Sequence, residues 1–140
     1  MALTHQIIEC RNRSCWIGDY SASTSQVDLI VEPEDEINAL NHTTAFQPAV
    51  ILLGYDVRKA ATDVFIEYIL AESSQSKIIV IGQQLNDEQI LNCLLAGANG
   101  YMEYSALEKY LNKAVRVIAS GEAWISRKMA AKLINKLRTN

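Results

Sequence analysis

Ala49 to Leu53 reads AVILL, and Lys77 to Ile81 reads KIIVI. Neither run alternates apolar with polar residues. Each is short, rich in β-branched residues and apolar on both faces. That is the pattern of a parallel strand whose sheet is covered by helices on both sides. These runs decide the fold class, because parallel neighbours need crossover connections and therefore helices between them. VDLIV at 27–31 is a third strand, and Gly100 to Met102 a short fourth.

Working outward, helices fall between the strands. Pro33 followed by Glu34, Asp35 and Glu36 is a good helix opening, with proline in the first turn and acids favouring the helix dipole. A helix over about 57–72 places Ala61, Val64, Phe65, Tyr68 and Ile69 on one face. Asn86 with Gln89 forms a capping-box pattern for the next, which buries Ile90, Leu91, Leu94 and Leu95 and ends at Gly97 or Gly100. Ser105 with Glu108 repeats that pattern before Leu107, Leu111, Val115 and Ile118, and Gly121 stops that helix. A last helix starts at Ser126 and carries Met129, Ala130, Leu133, Ile134 and Leu137. Strand and helix thus alternate, which predicts a parallel sheet wrapped by helices.

The first 26 residues leave two alternatives open. His5 to Cys10 or Ser14 to Gly18 is the first strand. In the second case only YSASTSQ (20–26) leads to the next strand, too short and polar for a full crossover helix. In the first, 11–26 must hold a distorted helix. Either way the first βα unit is irregular.

The 140 residues are about one domain's worth, with 49% hydrophobic and 21% charged residues, which fits a globular chain with a real core. No apolar run is long enough to span a bilayer, and Met1 to Glu9 does not read as a signal peptide, so a cytoplasmic location is expected. Three cysteines without a CxxC pair, Cys10, Cys15 and Cys93, argue against a disulfide framework or a zinc site. His5 and His42 have no partner at ligand spacing, so no metal is expected. No Walker loop, GxGxxG, GxSxG or HExxH occurs, and no enzymatic activity is expected. Net charge is −3, unevenly spread: residues 1–102 carry 13 acidic and 5 basic side chains, and 103–140 carry 3 and 8. An acidic body ends in a basic segment.

Four stretches carry a resemblance: QPAVILLGYD (47–56), SKIIVIG (76–82), LLAGANGYMEYS (94–105) and LNKAVRVIASGEAWISRKMAAKLI (111–134). Together they resemble the receiver domains of NarL/FixJ (LuxR-type) response regulators, over about residues 27–138. The most specific part is AGANGY followed by a helix ending in GEAWIS. The resemblance implies an α/β fold, a flavodoxin-like (CheY-like) doubly wound parallel sheet of about five strands, with an extra C-terminal helix.

In that family an aspartate ending the third strand accepts a phosphoryl group. Two acids after the first strand hold Mg²⁺, a Ser or Thr ends the fourth strand, and a Lys ends the fifth. Carboxylates hold the hard cation, and cation and lysine neutralise the phosphoryl oxygens. Aligned on these motifs, this sequence has Gly54 at the acceptor position, Gly82 at the hydroxyl position and Tyr104 at the lysine position. Glu103 beside Tyr104 brings negative charge where a cation is needed. The acid pair falls on Glu9 and Cys10, or on Gly18 and Asp19, and neither choice supplies two acids. Asp56 is an offset acceptor candidate, although a helix N-cap is the commoner role for such an aspartate.

The expectation is a phosphorylation-independent pseudo-receiver that acts by dimerisation and protein contacts in transcription control. In the family, the fourth helix, fifth strand and fifth helix form a common dimerisation face. Here that face includes Leu91, Leu95, Tyr101, Tyr104, Tyr110 and Val117. Trp124-Ile125-Ser126-Arg127 is similar to the W-[F/L/M]-[T/S]-R motif of biofilm regulators that bind cyclic di-GMP. A nucleotide site using Trp124, Ser126 and Arg127 is therefore the alternative, with cyclic di-GMP as the one ligand to consider. Arginine can stack on or grip guanine, and a helix N-terminus suits a phosphate. The domain reading is a receiver-like body over 1–122 and a C-terminal linker helix over 123–140. The resemblance leaves two alternatives: a piece of a longer parent protein in which a helix-turn-helix DNA-binding domain follows, or a stand-alone protein; DNA is touched only through such a further domain.

Overall fold

A computed structural model of the chain describes residues 14–17, 27–31, 49–55 and 59–139. Among the described residues five parallel strands form one sheet: β1 (Ser14–Ile17), β2 (Val27–Val31), β3 (Val50–Gly54), β4 (Lys77–Gly82) and β5 (Gly100–Glu103), in the order β2-β1-β3-β4-β5. The first strand is thus the second of the two alternatives. The helix opening at Pro33 lies outside the described residues, as do the segment between β1 and β2, Asp56 and the candidate acids Glu9, Cys10, Gly18 and Asp19.

The described helices are α1 (Thr62–Glu72), α2 (Asp87–Ala96), α3 (Leu107–Ala119) and α4 (Arg127–Arg138). Short 3-10 turns lead into α1 and α3. The apolar runs divide by parity, as the two-residue period of a strand requires. Ile51, Leu53, Ile78 and Val80 face one layer with Phe65, Ile66 and Ile69 of α1, Leu91 and Leu94 of α2, and Met129 of α4. Val50, Leu52, Ile79, Ile81 and Met102 face the other, under Leu107, Leu111, Ala114, Val115 and Ile118 of α3. Each fully buried aliphatic side chain contributes roughly 1.5–3 kcal/mol of hydrophobic stabilisation. Two such layers account for continuous apolar strands.

Some local expectations need correction. α1 turns Thr62, Phe65, Ile66 and Ile69 inward and leaves Val64 and Tyr68 exposed, one helical step from the expected face. The helix starts later, and the Thr62 hydroxyl donates to the Lys59 carbonyl at 2.6 Å inside the preceding 3-10 turn. α2 has the expected capping box: Gln89 N–H donates to the Asn86 side chain and Asn86 N–H to the Gln89 side chain, each at 2.8 Å. Ser105 does not cap α3. It lies within the 3-10 turn Tyr104–Ala106, and Ala106 precedes the helix with no side-chain cap. Ser126 does cap α4, accepting from Met129 N–H at 3.0 Å.

The AGANGY and GEAWIS segments meet. Gly100 forms a parallel bridge with Trp124. Tyr101 N–H donates to the Trp124 carbonyl at 3.1 Å, and Trp124 N–H to the Asn99 carbonyl at 3.0 Å. A Cβ on Gly100 would lie 2.8 Å from the Trp124 carbonyl oxygen, so only glycine admits this approach. Asn99 also fastens β4, its side-chain oxygen accepting from Ile78 N–H at 2.9 Å and its N–H donating to the Ile78 carbonyl at 2.7 Å.

Candidate functional site

Ligand sites of open parallel sheets lie beyond the carboxyl ends of the strands. There the fold brings Gly54, Gly82 and Tyr104 to the ends of three adjacent strands. Gly54 closes β3 and pairs in register beside Ile81, Gly82 closes β4 beside Glu103, and Tyr104 opens the 3-10 turn after β5. Gly54 and Gly82 are buried. Tyr104 packs toward the α3 layer.

The place where a side chain on Gly82 would stand is filled. A Cβ built there would lie 2.9 Å from Cγ of Leu85 and 3.2 Å from Cε1 of Tyr101. Leu85 belongs to the loop joining β4 to α2, and Tyr101 to β5. Glu103 ties this corner together. Its carboxylate accepts from Gln84 N–H at 3.0 and 3.1 Å and from the Tyr101 hydroxyl. Burial first, then the Glu103 carboxylate, holds the Tyr101 phenol well above its ordinary pKa, partly offset by a backbone hydrogen bond from Leu85.

Beside Gly54 stands Tyr55, half-buried, whose N–H donates to the Ile81 carbonyl at 2.8 Å. Its phenol is raised mainly by burial, then by the neighbouring Cys93, while a hydrogen bond to Gln89 acts the other way. Cys93 is buried and its thiol is pushed up to about 12, first by burial and then by Asp63. A thiol held so firmly protonated is a poor nucleophile. Among the described residues no group of three or more His, Cys, Asp or Glu side chains could hold a metal ion.

A groove of about 490 Å³ runs between α2, β5, α3 and the segment before α4, with Tyr101, Tyr110, Trp124, Ile125, Asp87 and Glu103 among its lining residues. The Tyr110 and Trp124 rings stand 6.3 Å apart at 46°. Of the expected interface residues the groove gathers Tyr101 and Tyr110. Leu95 is 37% exposed on α2, Val117 is half-buried on α3, and Leu91, at 6%, belongs to the core. The WISR segment divides. Trp124 and Ser126 line the groove, whereas the exposed Arg127 is not among its lining residues. The Ser126 hydroxyl is engaged in capping α4.

Sequence reading took Glu103 only as a charge in the wrong place, and did not pick out Gln84 or Leu85. Their roles depend on a loop meeting a strand across the sheet end, for which the sequence has no local signature. The one available signal was Gly82 itself, since a glycine closing a buried strand often marks close approach by a neighbour.

No family model matches the chain. Among curated proteins it is similar to the oxygen regulatory protein NreC of Staphylococcus aureus, 21% identical over 117 residues, which cover 83% of this chain and 54% of that protein. The chain thus spans about half the length of the curated relatives it matches. Among solved structures it superposes on a LuxR-family two-component response regulator from Aurantimonas sp. with a TM-score of 0.70 at 16% identity, covering 91% of this chain and 98% of that one. The RcsB response regulator of Salmonella typhimurium gives 0.68 at 17% identity, over 87% of this chain and 69% of that one. A response regulator from Thermotoga maritima gives 0.66 at 17% identity, over 79% and 100%. The strand order, the AGANGY–GEAWIS junction and these relationships agree: the chain has the fold of response-regulator receiver domains, including LuxR-family ones, and is similar in sequence to NreC.

Proposed function

We propose that this domain signals without phosphoryl transfer, through protein contacts on the face made by α2, β5 and α3, and that it forms homodimers there in the service of transcription control. The observation that supports this best is the filled corner at Gly82. A hydroxyl is absent at that strand end, and Leu85 and Tyr101 stand where its side chain would be. Gly54 offers no nucleophile, and Tyr104 with Glu103 offers no cation to neutralise a phosphoryl oxygen. The described residues therefore do not suit the acylphosphate and Mg²⁺ that the family's chemistry uses.

The contacts on offer are aromatic. Tyr101 and Tyr110 combine apolar area with a polar tip, as residues of interface cores commonly do. Leu95 and Val117 extend the face. The body over 1–122 is the signalling unit in this reading, and 123–140 connects it to a DNA-binding domain in a longer parent. The RcsB structure is described in terms of DNA interaction.

Two measurements test the proposal. Acetyl phosphate with mass readout should leave the chain unmodified; a stable adduct on Asp56 contradicts it. Sedimentation at rising concentration should show a monomer–dimer equilibrium that Leu95→Glu or Tyr101→Ala shifts to monomer. A strict monomer at high micromolar concentration ends the dimer reading.

A further inference from the structure

The loop between β4 and α2 is held by a side chain on a different strand. Gln84 is in the left-handed region, φ 56°, which non-glycine residues rarely adopt. The contacts around it are specific. Both oxygens of Glu103 meet the Gln84 N–H, and the Tyr101 hydroxyl donates to the same carboxylate. The loop is thereby fastened to β5 at Gln84 by a carboxylate. The Leu85 side chain then seats over Gly82, the one residue type that leaves it room.

We propose that Glu103 is a built-in carboxylate latch that holds the β4–α2 loop and the Tyr101 ring in one arrangement, so that the groove face is assembled in advance without a transferred group. Tyr101 and Glu103 both line the groove, so whatever fixes them fixes its wall. Hydrogen bonds to an ionised acceptor are stronger than neutral ones, which suits a carboxylate to this work. The link to the groove face rests on the contact reading above. The latch itself does not.

The test uses the full chain with Glu103→Gln, which keeps the shape and loses the charge, and Glu103→Ala, which loses both. Backbone amide exchange at Gln84 should quicken about tenfold in Glu103→Ala, the scale of one charge-assisted hydrogen bond, and by less in Glu103→Gln. The Tyr101 phenol should ionise at lower pH in Glu103→Gln than in the parent. Unchanged Gln84 exchange in a folded Glu103→Ala, or an unchanged Tyr101 titration in Glu103→Gln, overturns the latch. If the alanine variant does not fold, the glutamine variant decides alone. A parent chain that never dimerises defeats the interface reading and leaves these two readouts standing. A Glu103→Gln chain with a loosened loop but parental dimer affinity defeats the claim that the latch assembles the face.

Discussion

α3 and α4 are nearly equal in length, thirteen and twelve residues, and both are two-faced. They differ in what their apolar faces meet. α3 buries Leu107, Leu111, Ala114, Val115 and Ile118 against the sheet. α4 buries Met129 alone, packs Leu133 part-way, and leaves Ile134 and Leu137 at 50% and 60% exposure. α4 has basic side chains and no acidic one, and Lys128 and Lys132 lie 3.4 and 3.0 Å from Asp87 on α2. Those charges are exposed, and such pairs are weak and screened. α3 is a wall of the domain, whereas α4 is fastened at its first turn and less firmly beyond.

The contrast is sharpest at the anchors. Ile118→Ala removes a side chain with no exposure from the middle of a packed layer and should cost about 3–4 kcal/mol in urea unfolding. Met129→Ala should cost about 2 kcal/mol, because α4 can settle into the space. Equal losses would make α4 as integral as α3. Gly100→Ala comes next. Its Cβ would meet the Trp124 backbone, so about 1–3 kcal/mol should be lost and the start of α4 should detach, read as faster amide exchange at Tyr101 and Trp124.

Leu137→Glu should change stability by no more than about 0.5 kcal/mol, the usual range for exposed sites. A large loss would mean that α4 is packed along its whole length. Asp87→Asn should have the smallest effect, seen as a change in the pH dependence of Tm. Hydrogen bonding to Lys132, then to Lys128, lowers the Asp87 pKa below the ordinary 3.8. Its contribution is therefore present above that value and fades as pH falls through the depressed one. Added salt should erase the difference. A parental pH profile in Asp87→Asn would show that the ion pairs do not hold α4.

Much of this was legible in the chain. AVILL and KIIVI could be read as strands of a covered sheet because burial on both faces leaves a mark in composition. The α2 capping box and the Ser126 cap were readable because capping acts over three residues. The Ser105 pattern misled for the same reason: a 3-10 turn at the end of β5 overrides a local signal. The face of α1 was missed by one step, since Val64 and Tyr68 are as apolar as the residues that are buried. At the candidate site, Gly54, Gly82 and Tyr104 fall together because strand ends in a parallel sheet align. The Glu103 latch was not legible, because it joins residues that only the sheet brings together.

The protonated thiol of Cys93 lends itself to use as a clock. It sits between α1 and α2 and is closed to solvent. An alkylating reagent can reach it only when that layer opens. In a chain whose other two cysteines are replaced by serine, the rate of modification would time the separation of the two helices. That rate could be followed in dilute samples, with and without a candidate partner, and a partner that clamps the layer would slow it.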